Sequence, residues 1–382
     1  MSQKVTEGTD KSPDERLKTE PKHFIRRTKI ADHSIKFRYL SQEDLIGAGC
    51  FDMPMCLKAT EEGLVRFKEG GILFPDKIVQ IFKEETQERI NCLPATLLKE
   101  QICGVKWVSV FPMNPSVYGT QNLSAIIVLS KIDKGYPVCV MDGTFCSNIR
   151  VACIGATAAK HLSRENSETI GFIGAGEQAK MHLIGMKAVR PGLKVCKVGA
   201  KYDYEEKAFI DAMQPIFPDM KFIACDTNLE KAIRESDICV TAVSCQAPLL
   251  KAKWIEKDAG VFYSHIGGWE DEEANVLQAD KLVCDSWNVV KHRGQTMCRC
   301  YKQGLITDED IYGDLVDIVD GTKPGRENDR EYIYFSATGL SYIDVMLANT
   351  MFEKAAAAGA GVMLPMQEKT VFEHDLAGKI IF

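Results

Sequence analysis

Apolar residues along the chain follow two rhythms, and the change from one to the other divides the molecule. Ser41 stands as a helix N-cap with Asp44 three positions later as its capping-box partner, so a helix is expected soon after Tyr39, through Met55–Leu57 to Val65–Phe67. Short β-like runs follow at Lys77–Phe82, Val105–Val110, Ala125–Leu129 and Pro137–Asp142. Gly104, Asn114-Pro115 and Lys134-Gly135 mark the turns, which predicts a meandering sheet in an α+β region. Over Ile149–Ala159 small residues recur at helical spacing and predict a closely packed helix leading into the next region. From Thr169 the rhythm becomes strand, helix, strand, helix. Strands are expected at Ile170–Ile173, Val195–Val198, Lys221–Ala224, Asp237–Val243, Gly260–Tyr263 and Lys281–Asp285, with helices from Glu177 and from Tyr204. Buried apolar strands alternating with helices predict a doubly wound parallel sheet.

Composition narrows the class of protein. A chain of 382 residues suits two globular domains, and a net charge of -6 gives no cationic surface for nucleic acid. No run is long and apolar enough for a membrane helix, and the opening residues lack the apolar core of a signal peptide. The protein is therefore expected in the cytoplasm. Residues 1–22 are polar, with Pro13 and Pro21, and are expected to form a disordered tail. Fourteen cysteines scattered through such a chain are expected to be reduced, mostly buried thiols; without zinc-type spacing, no metal is expected.

Chemistry enters at Gly174-Ala175-Gly176-Glu177-Gln178-Ala179, which follows a strand and opens a helix. In that context Gly174 permits the tight turn, Gly176 lets a pyrophosphate approach the backbone, and Ala179 keeps the helix close to the sheet. The helix start supplies free N–H groups and the positive end of a dipole. At the end of the second strand Lys201 stands near the tip without an acid directly there, which favours NADP(H) over NAD(H), although Asp203 could curl back to a ribose. Thr241-Ala242-Val243-Ser244 ends the fourth strand, where it is expected either to pass beside the nicotinamide-side ribose and phosphates or simply to close the strand.

Taken together, these segments resemble the ornithine cyclodeaminase/mu-crystallin family. The likeness is to its dehydrogenase-like branch, which holds archaeal-type alanine dehydrogenases and the aminocarboxyethyl-glutamate dehydrogenase of siderophore synthesis. It runs from about Tyr39 to Leu364 and is carried by Gly104-Val105-Lys106, Asp142–Ala152 with Arg150, the glycine turn, Thr241–Ser244, and Phe335–Leu340 with Asp344. The resemblance implies a Rossmann-type doubly wound parallel sheet, residues 156–339, inserted in an α+β substrate-binding and dimerisation domain, residues 23–155 plus 340–382. It implies a homodimer with an amino acid and a nicotinamide facing each other in an interdomain cleft.

Within that resemblance Arg150 matches the family's carboxylate-binding Arg, and a guanidinium suits the task because it grips a carboxylate through two parallel bonds. Lys106 sits mid-strand among apolar neighbours, where an ammonium is costly unless paired or functional; it is expected to contact the substrate and move a proton. Lys77 replaces the family's usual Arg before the first β-run, so a fork becomes a point charge. Asn122 completes the expected substrate set, and Thr338 and Gly339 join the cofactor set. Two departures matter. Trp269 stands where cyclodeaminases carry a catalytic Asp, leaving Glu270 or Asp271 to take over, unless that stretch is a surface acidic loop. Asn91 stands near the position of a second family acid. The Trp269, Trp287, His292 and Arg293 stretch is expected to form a pocket wall or ordinary packing, with packing favoured for Trp287.

The function expected is an NAD(P)-dependent oxidoreductase acting at the CH-NH2 or CH-NH centre of an amino acid or N-substituted amino acid. Two alternatives remain open: a cyclodeaminase making proline from ornithine, and a non-catalytic NADPH and small-ligand binder.

Overall fold

The computed structural model describes residues 33–370, His374 and Gly378; the expected tail lies outside them. Nearly all belong to one compact unit, Ile35–Met366, built on two eight-stranded sheets.

The first sheet is mixed. Its order runs Val362–Gln367, Ile35–Leu40, Pro137–Asp142, Leu123–Lys131, Ile102–Val110, Glu88–Leu97, Ile72–Leu73, with Ile78–Lys83 also paired to Glu88–Leu97. The strands from Glu88 to Asp142 form the expected antiparallel meander. Ser41 and Asp44 close the expected capping box, but the helix ends at Gly47 and a second one, Met53–Lys68, starts on the side chain of Asp52. The long strand Glu88–Leu97 contains Pro94, ordinarily a reason to reject a central strand. Pro94 faces the gap between Leu73 and Ile78, where no ladder asks for its missing N–H, and its carbonyl there accepts from Ser341 Oγ at 2.7 Å.

The second sheet is wholly parallel, in the order Lys221–Ala224, Val195–Gly199, Thr169–Ile173, Ile238–Thr241, Phe262–His265, Ile333–Ser336, Lys281–Cys284, Ile311–Asp314. Its central strands are buried at every position, as a sheet covered on both faces requires. Ile333–Ser336 inserts between two strands that precede it in the chain, so all eight carboxyl ends point one way and the order reverses beside Thr169–Ile173. Such a reversal is where open α/β sheets bind ligands.

Helix Thr144–Leu162 links the two sheets. The small residues expected to pack closely do so: a Cβ on Gly185, in helix Glu177–Val189, would lie 3.0 Å from Ala156 Cβ. Helix Ser341–Ala357 returns to cover the first sheet. It settles against strand Ile102–Val110 because Gly104 has no side chain; a Cβ there would meet Val345 Cγ1 at 2.9 Å. All fourteen cysteines are free, and all but Cys92, Cys103 and Cys245 are buried.

Candidate active site

Close approach at Gly104 decides what happens two residues further on. Alternation along Ile102–Val110 turns Ile102, Gly104, Lys106 and Val108 inward. Lys106 is thus 2% exposed, and its Nζ donates to Asp344 Oδ1 at 2.6 Å. Arg150, from the linking helix, donates through Nε to the same oxygen at 2.9 Å. Burial pushes the Asp344 carboxyl up, but the charges of Arg150 and Lys106 outweigh it and hold the group below the usual carboxylate range. Lys106 is lowered as well, but there burial is the dominant cause: Asp344 opposes it, and Arg150 repels the ammonium further.

With its Nε on Asp344, Arg150 keeps both terminal nitrogens without a hydrogen-bond partner among the described residues, and they form an open fork. The fork rests on Gly339, at φ +91, where a Cβ would lie 2.5 Å from Nη1. Asp285 holds that loop by accepting from Ser286, Thr338 and Gly339 N–H at 2.8, 2.8 and 2.7 Å. Thr338 and Gly339, expected beside the cofactor, have their N–H groups engaged by Asp285, and Gly339 also lies beneath the Arg150 fork. Lys77 joins the cluster half-buried; burial, then repulsion from Arg293, lowers its ammonium to about 7. Among the described residues Asn122 shows only backbone pairing, its carbonyl accepting from Phe111 N–H at 2.7 Å.

The glycine turn fits a dinucleotide. Gly174, at φ +104, lies so near the next strand that a Cβ would stand 2.5 Å from Ala242 O. Gly176 caps the helix without a side-chain bond and has open space before it, which leaves the first helical N–H groups for phosphates. Gln178 Nε2 donates to Asn148 Oδ1 at 2.9 Å, tying this turn to the helix that carries Arg150. Lys201 is exposed at the tip of the second strand, over the Tyr202 ring, while Asp203 accepts from Tyr204 N–H at its helix start. Thr241 is buried against Tyr263 OH at 2.9 Å; Ala242 and Val243 are half-buried and Ser244 is exposed.

The acidic stretch is no surface loop. Glu270 and Asp271 are fully buried in strand Trp269–Asp271. Gly268 N–H donates to Glu270 Oε1 at 3.2 Å, and burial raises that carboxyl to about 8. Asp271 accepts from Thr296 Oγ1 at 2.5 Å and Tyr334 OH at 3.2 Å, and burial raises it to about 7. Beside them burial lowers His265 to about 4, so its Nε2 donates as a neutral ring to Gly268 O at 2.8 Å. Among the described residues Glu270 makes no hydrogen bond or ion pair with Lys106, Arg150 or Lys77; its carboxyl lies on the Gly267–Gly268 turn. Trp269 carries the Arg299 guanidinium on its face, 3.8 Å from the ring centroid. Trp287 packs as favoured, with Nε1 on Asp308 at 2.6 Å, and His292 is exposed.

The same arrangement of sheets and motifs is found in known proteins. Residues 42–359 match the model of the ornithine cyclodeaminase/mu-crystallin family. The chain belongs to this family. It is 31% identical to an alanine dehydrogenase of Archaeoglobus fulgidus over 84% of this chain and 96% of that one. It is 26% identical to an N-((2S)-2-amino-2-carboxyethyl)-L-glutamate dehydrogenase of Staphylococcus aureus, over 85% of this chain and 97% of the other. Among solved structures, the Thermococcus litoralis Delta(1)-pyrroline-2-carboxylate reductase in complex with NADH and L-proline superposes with a TM-score of 0.80 at 28% identity, covering 85% of this chain and 99% of its own. An archaeal alanine dehydrogenase dimer with bound NAD gives 0.79 at 28% identity, covering 87% and 100%. These family members are oxidoreductases of amino acids or cyclic imines, and NAD(H) is bound in the two structures.

Proposed function

We propose that this chain is an NAD(P)-dependent oxidoreductase acting at the CH-NH2 or CH-NH centre of an amino acid or N-substituted amino acid. The observation that carries the reading is the open Arg150 fork beside a buried Lys106, on the helix tied to the dinucleotide turn. Arg150 takes the substrate carboxylate through its two terminal nitrogens, with Lys77 as a second cation. Lys106 Nζ, its ammonium destabilised by burial, gives a proton to the imine nitrogen or takes one from the amine. Asp344 orients both cations from behind.

A nicotinamide bound at the glycine turn supplies or accepts the hydride at the substrate α-carbon. In the reducing direction the C=N bond gains that hydride on carbon and the Lys106 proton on nitrogen. Lys201 favours a 2′-phosphate, so NADP(H) is the cofactor proposed over NAD(H). The outward face of the first sheet leaves Ile78, Phe82, Trp107 and Ile126 at least 40% exposed, an apolar surface suited to a second copy of the chain. Light scattering should then give twice 42.5 kDa; a monomer would rule the dimer out.

Nicotinamide absorbance tests the activity with each cofactor and a panel of amino acids, or of 2-oxo acids with amines, while proline and ammonia are assayed in the same wells. A net absorbance change is expected. Proline and ammonia without net change would make the protein a cyclodeaminase, and silence across the panel would favour a binder.

A further inference from the structure

One end of the first sheet gathers more cations than the carboxylates of the described residues pair. Along strand Glu88–Leu97, Leu93 lies opposite Lys106, Asn91 opposite Val108 and Arg89 opposite Val110. Alternate residues share a face, so Arg89, Asn91 and Leu93 form one inward row beside Lys106. Lys77 precedes Ile78, which pairs with Cys92, and borders that row from the other side. Arg293 follows helix Trp287–Val290 and reaches the same place: it repels Lys77 and Arg89 and is drawn to Asp76 and Asp285.

The carboxylates nearby are already occupied or exposed. Asp344 is held by Lys106 and Arg150, Asp285 accepts from three backbone N–H groups, and Asp76 is exposed. Among the described residues Lys77, Arg89 and Arg293 have no ion-pair partner. Arg293 Nε and Asn91 Oδ1 are buried without a hydrogen bond. A substrate α-carboxylate on the Arg150 fork leaves this second group uncompensated, and partly desolvated cations without a counter-charge are costly.

We propose that Arg89, Asn91 and Arg293 form a second anion subsite, and that the substrate is an amino acid or imine carrying a further carboxylate on its side chain or its N-substituent. The inference rests on the oxidoreductase reading only for the end held by Arg150. Guanidinium forks suit a carboxylate, and the Asn91 amide adds a neutral donor. An acid at position 91 would attract a cationic side chain such as that of ornithine; an amide flanked by two guanidiniums repels one. Both carboxylates are spectators, and the bonds made and broken stay those of the C–N centre.

Calorimetry on the full chain with excess NADPH or NADH tests it, using two matched pairs of probes. L-Glutamate is compared with L-glutamine, and N-(carboxymethyl)-L-alanine with N-(carbamoylmethyl)-L-alanine. In at least one pair the acid should bind about tenfold tighter than its amide, and the pair that responds tells a side-chain acid from an N-substituent. Arg293→Gln should bring that ratio near one, Arg293→Lys should retain much of it, and Arg293→Glu should reverse it. Equal binding of acid and amide in both pairs, no binding by either acid, or a ratio untouched in both Arg293→Gln and Arg89→Gln overturns the subsite. Nicotinamide absorbance on the same amines with NAD+ or NADP+ as hydride acceptor separates the two readings. Acid preference without redox change supports the subsite and sinks the oxidoreductase; turnover without acid preference does the reverse.

Discussion

Two groups of buried ionisable residues lie near the strand ends, and the fold treats them in opposite ways. Around Arg150 the charges are mostly positive, Lys77 and Arg293 have no ion-pair partner among the described residues, and the guanidinium fork is open. Around Glu270 the side chains are shut in completely: the carboxyls of Glu270 and Asp271 rise to about 8 and about 7, and His265 falls to about 4. The first group keeps its guanidiniums charged beside lysines whose ammoniums burial weakens, whereas the second sheds charge to suit a dry interior. Burial alone therefore does not identify a catalytic group. What separates the two is whether a charged group stays open to a ligand, as the Arg150 fork does.

The sharpest break of that contrast is Lys106→Met, which keeps the volume and removes the proton. Turnover should fall by two to four orders of magnitude, while NADPH or NADH binding, followed by nicotinamide fluorescence, persists. If turnover survives within about threefold, Lys106 serves packing only.

Next in size is the pH response of Lys77. Its folded value lies near 7, far below the ordinary 10.5, so the folded chain binds fewer protons than the unfolded one between these limits. Stability rises with pH across that window, whereas affinity for a carboxylate falls as Lys77 loses its charge. Lys77→Arg should keep substrate affinity nearly flat from pH 7 to 9 and improve it roughly tenfold over the unmodified chain at the upper end. An unchanged pH profile of KM would remove Lys77 from the site.

The smallest effect is expected at Glu270. Its raised value contributes stability that is complete below about 4.5 and lost as pH climbs through about 8. Glu270→Gln mimics the protonated side chain, so thermal melts should lose that dependence while turnover changes less than about threefold. A large loss of turnover together with a lost limb of the pH–rate profile would return Glu270 to the acid/base role expected of it.

Much of this architecture is legible in local pattern. The capping box at Ser41, the strand Pro137–Asp142, the helix from Glu177 and the strand Lys221–Ala224 all appear where apolar periodicity and caps put them, because these signals act within a few residues. Strand Glu88–Leu97 escaped the pattern because Pro94 is tolerated only by a gap between two other strands. Asp344 offered a signal, an acid in an otherwise apolar helical run, but its role depends on a strand more than two hundred positions away that approaches because Gly104 has no side chain.

By itself, the sequence determined the alternating units of the second sheet, the dinucleotide turn, the family and the identity of Lys106 and Arg150 as candidates, since periodicity, turn chemistry and motif spacing are local. Tertiary structure alone decided which charges meet. It buried Glu270 and Asp271 completely, set the N–H groups of Thr338 and Gly339 on Asp285, and brought Arg293 within electrostatic reach of Lys77 and Arg89. Electrostatic partnership falls off with distance in space and grows with desolvation, and neither quantity is written along the chain.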